Sequence, residues 1–161
     1  MRDTTEVGDN YGSALDGGDF NGDGIGDLAI GVPGETVVDS GDGAVSVLFG
    51  GAGGQQAVGP DDLLISQSTS DIADDPDFFD GYGAVLSGAD FNDDGFADVV
   101  VGIPKENLGT AIDAGAANVV FGGSSGPQGT SPDDQFLIQD STSVKDEVEA
   151  LDIFGGALAA G

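Results

Sequence analysis

The fold is decided by the stretch DFNGDGIGDLAIGVP at residues 19–33, which returns as DFNDDGFADVVVGIP at residues 90–104. In both copies a loop rich in Asp, Asn and Gly precedes an apolar run that ends at Gly-x-Pro. A period of tens of residues indicates a stacked or radial array of repeated units. The chain is therefore built from copies of one structural unit.

The repeat extends on both sides of this stretch. An aromatic residue followed by glycine recurs at intervals of 71 and 72 residues, each time two residues after an acid, at Asp9/Tyr11, Asp80/Tyr82 and Asp152/Phe154. The run GAVSVLFGG at residues 43–51 reappears as GAANVVFGG at residues 115–123. We therefore divide the chain into a first unit at residues 1–80, a second at 81–151 and the opening of a third at 152–161.

Each unit contains four short β-prone runs separated by turn-forming residues, and no helical period is present. The predicted strands are Ser13–Gly17, Leu28–Val32, Ala44–Phe49 and Leu63–Ser66 in the first unit, and Ala84–Gly88, Val99–Ile103, Ala117–Phe121 and Phe136–Gln139 in the second. This pattern predicts an all-β protein of two four-stranded antiparallel β-propeller blades, plus the first strand of a third blade. A single two-sheet sandwich also accommodates eight strands and stays open at this point.

The composition excludes several classes of function. The chain has 161 residues, a net charge of -27 and no His or Cys. It therefore lacks a His- or Cys-dependent nucleophilic site, a conventional zinc site and any disulfide. The only fixed cations are Arg2, Lys105 and Lys145, too few for a nucleic-acid surface. No stretch approaches the roughly 20 apolar residues of a membrane span. The remaining chemistry is that of carboxylates.

Oxygen-bearing side chains occupy positions 1, 3, 5 and 9 of each acidic loop, with Gly at position 6. A tight loop turns alternate side chains toward one point, and position 7 contributes a backbone carbonyl. The predicted ligands are Asp19, Asn21, Asp23, the Ile25 carbonyl and Asp27 in the first loop, and Asp90, Asn92, Asp94, the Phe96 carbonyl and Asp98 in the second. Because an all-oxygen cage favours Ca²⁺, we expect two calcium sites, one per blade, that stabilise the folded chain.

The loop pattern is also compatible at first with an EF-hand or with a plain turn. An EF-hand has the same initial spacing but requires Glu at position 12 and flanking helices. Position 12 is Ile30 in the first loop and Val101 in the second, and β-branched runs follow both loops, which excludes an EF-hand. A plain turn role for Asp, Asn and Gly also accounts for a single loop. The recurrence of the pattern in both units favours metal binding over a plain turn.

Taken together, these motifs resemble the FG-GAP repeat of integrin alpha-subunit β-propellers and of bacterial secreted proteins. The resemblance rests on the aromatic-Gly pair, the D-x-N-x-D-G-x-x-D loop, the strand ending in Gly-x-Pro and the GAVSVLFG run. It implies calcium in the loop that joins the first two strands of each blade. The departures from the motif are Tyr11 and Tyr82 for Phe, Val32 and Ile103 for Ala, and Asp93 where the first loop has Gly22. None of them removes a ligand.

The resemblance also implies a function. We expect a non-enzymatic module for adhesion or recognition, outside the cell or at the cell surface, with a protein or a glycan as its ligand. Two alternatives stay open: a structural or assembly repeat, and an accessory propeller domain of a secreted hydrolase.

Two blades do not close a propeller, which has about four to eight. We therefore expect either part of a longer chain or a homo-oligomer that completes the ring, with the strand at 152–161 available for exchange between copies. The acidic run from Asp71 to Asp80 is expected to be a solvated loop rather than an extra cation site.

Overall fold

The computed structural model describes residues 6–55, 62–130, 133–142, 144 and 146–160. Its strands are β1 (Leu15–Gly18), β2 (Asp27–Val32), β3 (Ala44–Leu48), β4 (Asp62–Ile65), β5 (Val85–Ala89), β6 (Asp98–Ile103), β7 (Ala116–Val120) and β8 (Gln135–Leu137). They form two antiparallel sheets in the orders β1-β2-β3-β4 and β5-β6-β7-β8. No helix occurs among the described residues. The predicted all-β class and its two four-stranded blades are confirmed.

Each sheet is a meander of consecutive strands whose side chains alternate between two faces. In the first sheet Ala29 lies opposite Val47, and Gly31 opposite Val45. Val45 also lies opposite Ile65 of β4. The side chains of this face are buried, so the face forms one wall of the core.

The two sheets pack on each other head to tail. The first sheet contributes Ala29 and Val47 to the shared core, and the second contributes Val101. Val101 of the second sheet corresponds to Ile30 of the first sheet. Ile30 follows Ala29 directly in β2, so its side chain points to the face of the first sheet opposite to that of Ala29. Unlike faces therefore meet, as they do between successive propeller blades. A sandwich of two like units related by a two-fold axis brings like faces together, and the structure does not have that arrangement.

The chain passes from the first sheet to the second through an aromatic-Gly pair. Tyr82 is fully buried, and its backbone N–H donates a 2.9 Å hydrogen bond to the carbonyl oxygen of Asp42. Gly31 must be glycine because an added Cβ would lie 2.0 Å from the carbonyl oxygen of Gly83. Tyr11, the equivalent residue of the first unit, is 61% exposed. The aromatic residue of the second unit thus packs against the blade that precedes it.

The opening of the third unit docks without forming a strand. No strand lies within residues 152–160. Phe154 nevertheless repeats the contacts of Tyr82: its N–H donates to the carbonyl oxygen of Ala114 at 2.9 Å, and it bridges Gly115 in parallel. An inner strand pairs with the second strand of its own blade, and among the described residues no second strand of a third blade is present. The expected first strand of a third blade is therefore present only as a docking segment. The unit bounds stay a prediction, although each sheet lies within one unit.

Candidate functional site

The two acidic loops connect β1 to β2 and β5 to β6, and they have the same backbone shape. Position 6 has a φ of 84° at Gly24 and of 92° at Gly95, in the left-handed region that favours glycine. Position 4 is left-handed as well, with a φ of 72° at Gly22 and of 60° at Asp93. Asp tolerates this conformation, so Asp93 leaves the shape of the second loop unchanged. The sharp turn predicted at position 6 is confirmed.

In the first loop the predicted ligands fold back over their own turn. The Asp19 carboxylate accepts hydrogen bonds from the N–H groups of Asp23, at 3.0 Å, and Gly24, at 2.8 Å. Oδ1 of Asn21 accepts from the N–H of Asp23 at 2.9 Å. The Asp23 carboxylate in turn accepts from the N–H of Ile25 at 2.8 Å. The side chains at positions 1, 3 and 5 are thereby gathered on the exposed side of one turn.

The second loop repeats these bonds. The Asp90 carboxylate accepts from the N–H groups of Asp94 at 3.1 Å and Gly95 at 2.9 Å. Oδ1 of Asn92 accepts from the N–H of Asp94 at 3.0 Å, and Asp94 accepts from the N–H of Phe96 at 2.9 Å. The two loop sequences differ at positions 4, 7 and 8. The positions that carry oxygen therefore determine the geometry.

Position 9 lies deeper, at the base of each loop. Both oxygens of the buried Asp27 accept backbone N–H donors, from Phe20 at 2.9 Å and from Gly50 at 2.7 Å. Asp98 makes the equivalent two contacts at 2.7 and 2.8 Å. Burial raises the pKa of both carboxyls above the ordinary value, and the backbone donors act in the opposite direction. These residues anchor each loop to the segment that follows the third strand of its sheet.

The side chain at position 7 has a role that the sequence did not predict. The ring of Phe96 lies against the first loop, where a Cβ added to Gly22 would be 2.5 Å from the ring atom Cε1. The methyl group Cγ2 of Ile25, the equivalent residue, lies 2.7 Å from a Cβ added to Gly50. The two predicted metal loops are consequently in direct contact through Phe96.

The donor set of each loop fits a hard cation. Its side-chain donors are carboxylate and amide oxygens, and an oxygen that accepts one hydrogen bond keeps a second lone pair. Within the part of the chain that the structure describes, no three acidic side chains lie close enough to hold a metal ion by themselves. Binding a cation therefore requires the gathered side chains to turn further toward one another, with amide and carbonyl oxygens completing the shell.

The acidic run before Tyr82 is only partly solvated. Asp71, Asp74, Asp75 and Asp77 are exposed, as expected. The expectation is wrong for Asp80, which is fully buried and accepts the N–H of Asp77 at 2.6 Å. Asp9 and Asp152 accept from the residue three positions earlier in the same way, at 2.6 and 2.7 Å. The recurrence of an acid two residues before each aromatic-Gly pair was the signal for this structural role.

The junction between the sheets contains polar contacts that sequence reasoning missed. The Asp134 carboxylate accepts from the N–H of Ala73 at 3.0 Å and from Nδ2 of Asn118 at 2.5 Å. Nε2 of Gln67 donates to Oε2 of Glu106 at 2.9 Å. Asp134 belongs to an Asp-Asp pair that recurs in both units, at residues 61–62 and 133–134. The junction is thus held by side-chain hydrogen bonds as well as by the apolar core.

A cleft of about 420 Å³ opens beside this junction. Its lining includes Pro33, Gly41, Phe79, Asp80 and Lys105. The Phe79 side chain is 61% exposed, and Lys105 is exposed as well. The cleft therefore combines an exposed aromatic ring with an exposed ammonium group.

Comparison with known proteins supports the repeat assignment. The FG-GAP repeat matches residues 11–48 and 82–120. Phosphatidylinositol-glycan-specific phospholipase D from Homo sapiens is 32% identical over 130 residues, which is 80% of this chain and 15% of that protein. Integrin alpha-3 from Mus musculus is 38% identical over 108 residues, 65% of this chain and 9% of that protein. The chain thus spans less than a sixth of the length of either relative.

Within the residues that the structure describes, no helix is long and apolar enough to cross a membrane.

Each matched segment contains one aromatic-Gly pair, one acidic loop and the first three strands of one sheet. The chain is therefore an FG-GAP repeat protein, with one repeat in each of its two propeller-type blades.

Proposed function

We propose that this chain is a calcium-binding FG-GAP propeller module that recognises a protein or a glycan outside the cell or at its surface. The observation that supports it most is the identical hydrogen-bonded turn of the two acidic loops, each with oxygen donors at positions 1, 3, 5 and 9. Extracellular calcium is near millimolar, a concentration that fills sites of modest affinity.

The calcium ligands would be the predicted oxygens of the two loops. In the first loop Asp19, Asn21, Asp23 and the Ile25 carbonyl face the ion from the turn, and Asp27 approaches from the base. Three carboxylates in one loop repel one another, and a bound Ca²⁺ relieves that repulsion. Two ions change the formal charge from -27 to -23, since each adds two positive charges.

Calorimetric titration with Ca²⁺ tests this assignment. We expect the double variant Asp23→Ala with Asp94→Ala to bind two fewer ions than the wild-type chain. Asp75→Ala, which removes an exposed acid outside both loops, is the matched control and keeps the wild-type stoichiometry. Equal calcium content in the double variant and the wild type would refute the assignment.

The cleft beside the blade junction is the proposed recognition site. The exposed ring of Phe79 offers a stacking surface for a sugar or an aromatic side chain, and the exposed ammonium group of Lys105 supplies hydrogen bonds. We expect binding on a glycan or matrix-protein array that Phe79→Ala weakens. Binding that is absent in the wild-type chain would favour a structural or assembly repeat. Hydrolysis of an array ligand would instead favour the hydrolase alternative.

We also propose that copies of the chain associate head to tail. The uncovered face of the first sheet carries Leu15 and Leu64, which are 61% and 40% exposed. Their counterparts in the second sheet, Leu86 and Phe136, pack in the core between the sheets. A second copy that places its own second sheet on this face would continue the interface already present within the chain.

Sedimentation as a function of concentration tests the association. Because each copy carries a charge of -27, association requires salt, which at about 0.15 M limits repulsion to roughly 8 Å. We expect Leu64→Lys to abolish it. Val38→Lys, at a 59% exposed loop residue, is the control that leaves it intact. A sedimentation mass equal to that of one chain, at high concentration and in salt, would contradict the proposal. It would favour the alternative that a further blade of a longer chain covers this face of the first sheet.

A further inference from the structure

A second group of oxygen donors lies between the two sheets, away from both acidic loops. We call this group the seam, and it consists of Gln67, Asp74, Asp80 and Glu106. Gln67 and Asp74 follow the last strand of the first sheet, Asp80 precedes Tyr82, and Glu106 follows β6 of the second sheet. Gln67, Asp80 and Glu106 are 3%, 0% and 2% exposed, so the seam is enclosed by both blades.

The hydrogen bonds of the seam leave two buried oxygens without a partner. Nε2 of Gln67 donates to Oε2 of Glu106 at 2.9 Å and to Oδ2 of Asp74 at 3.5 Å, which places the amide inside the group. Oδ2 of Asp80 accepts the N–H of Asp77. Oε1 of Gln67 and Oδ1 of Asp80 have no hydrogen-bond partner. Buried polar atoms are nearly always satisfied, so these two oxygens require an explanation.

The charges of the seam are not balanced. The charged groups that shift the pKa of Glu106 are the carboxylates of Asp80 and Asp74, and both raise it. The remaining influences are burial, which also raises it, and the neutral amide of Gln67, which lowers it. Burial and these acids raise that pKa to about 8, and burial raises the pKa of Asp80 to about 6. The neighbouring Lys105 is exposed in the cleft. Buried carboxylates must be paired, protonated or bound to a metal, because an isolated buried charge is very costly.

The same donors recur at the end of the second unit. Gln139, Asp146 and Asp152 follow Gln67, Asp74 and Asp80 by 72 residues. Oε1 of Gln139 is again buried without a hydrogen-bond partner. The recurrence of both the residues and the unpartnered oxygen indicates that the donor set belongs to the repeat, not to an accident of one junction.

We propose that the seam binds a hard divalent cation of the calcium class, held by the carboxylates of Asp80 and Glu106 and by the amide oxygen of Gln67. Such an ion can coordinate both unpartnered oxygens and offset the buried charge, whereas a single proton on Glu106 supplies a donor for at most one of them. The set contains two acids and an amide, in keeping with the absence of a converging group of three acids from the described residues. The cation ties one blade to the next and does not depend on the loops.

Calcium counting on the full chain tests the seam. Each variant is dialysed against about millimolar Ca²⁺ in about 0.15 M salt, and the bound metal is measured by mass spectrometry. We expect the seam variant, Asp80→Asn with Glu106→Gln, to bind one ion fewer than the wild type. Asp75→Asn, an exposed acid of the same run, is the matched control and loses none. The loop variant, Asp23→Ala with Asp94→Ala, keeps one ion, and its crystal structure in calcium shows that ion beside Gln67 and Glu106.

The outcomes separate this proposal from the proposed function. Equal calcium content in the seam variant and the wild type would overturn the seam site and leave the loops intact. A single ion that only the seam variant loses would support the seam and refute the loop sites. Should the seam variant not fold, the loop variant decides: a chain without calcium, or a crystal with only water or a protonated carboxyl at the seam, overturns the proposal.

Discussion

The backbone N–H of Ala97 donates a 2.9 Å hydrogen bond to the carbonyl oxygen of Asp19. Ala97 is position 8 of the second acidic loop, and Asp19 is position 1 of the first. Because Phe96 also packs on Gly22, the two loops form a continuous structure across the blade junction. A distortion of either loop is therefore expected to reach the other.

Substitution of Gly22 by Ala measures this contact. The added Cβ would clash with the Phe96 ring, and the backbone of residue 22 has a left-handed φ that alanine disfavours. We therefore expect Gly22→Ala to lower the free energy of unfolding by about 2–4 kcal/mol. Gly24→Ala is the control: its φ is also left-handed, but nothing lies within 4 Å of the added Cβ. We expect it to cost only about 1–2 kcal/mol. Urea unfolding in chelator measures both.

The double variant Gly22→Ala with Phe96→Ala completes this comparison. If the Phe96 ring causes the clash, Gly22→Ala lowers the free energy of unfolding by less in the Phe96→Ala background than in the wild-type background. An equal loss of stability in both backgrounds would show that the contact between the loops does not cause the destabilisation by Gly22→Ala.

Substitutions at Tyr82 test the burial of the aromatic residue between the sheets. Tyr82→Ala should lower the free energy of unfolding by about 3–5 kcal/mol, because a large side chain leaves a cavity. Tyr82→Phe should be neutral or slightly stabilising, because the buried hydroxyl has no hydrogen-bond partner. Tyr11→Ala, at the exposed equivalent position, should change stability by less than about 0.5 kcal/mol. Similar losses for Tyr11→Ala and Tyr82→Ala would disprove the head-to-tail packing.

Asp134 provides a test of the polar junction. Asp134→Ala leaves the N–H of Ala73 and the amide of Asn118 without their acceptor, and we expect a loss of about 2–3 kcal/mol. Asp133→Ala removes the same charge from an exposed neighbour and serves as the control. Chemical denaturation compares the two variants. Equal losses in the free energy of unfolding would show that the hydrogen bonds of Asp134 do not stabilise the junction between the blades.

The seam predicts a pH dependence in the absence of divalent cations. Burial raises the pKa of Asp80 from 3.8 to about 6, and the carboxylates of Asp77, Asp74 and Asp42 add to that effect. Burial also raises the pKa of Glu106 from 4.5 to about 8, with the carboxylates of Asp80 and Asp74 adding to it. The folded chain then binds protons more tightly than the unfolded chain. Stability is highest below the unfolded pKa values and falls as the pH rises through about 6 and about 8.

Urea midpoints measured across this pH range in chelator test that sign. Asp80→Asn with Glu106→Gln should flatten the profile, although Asp27 and Asp98 contribute with the same sign because their pKa values are also raised. Stability that rises with pH in the wild-type chain would contradict the burial of these acids in ionisable form.

Much of the blade was predictable because its signals are local. Alternating or continuous apolar runs located the eight strands, and β1 begins only two residues later than predicted. Gly24 and Gly95 adopt the predicted turn because position 6 needs a left-handed residue. The gathering of Asp19, Asn21 and Asp23 followed from their spacing alone, whereas their binding of calcium stays a prediction.

The missed features depend on contacts between blades. The packing of Phe96 on Gly22 and the contact of Gln67 with Glu106 join residues 74 and 39 positions apart, and no periodicity within a unit encodes them. Asp80 resembled the exposed acids around it, and only its place before Tyr82 marked it as structural. The expected opening strand of a third blade is not formed within residues 152–160, because pairing requires a neighbouring strand as well as a suitable sequence.

The central claim is that the two acidic loops bind calcium and thereby stabilise the blades, and thermal unfolding with and without calcium tests it most directly. We predict that calcium raises the Tm of the wild-type chain and of Asp75→Ala by several degrees. Asp23→Ala with Asp94→Ala should lose most of that rise. A double variant whose Tm rises with calcium as much as that of the wild type would contradict the account.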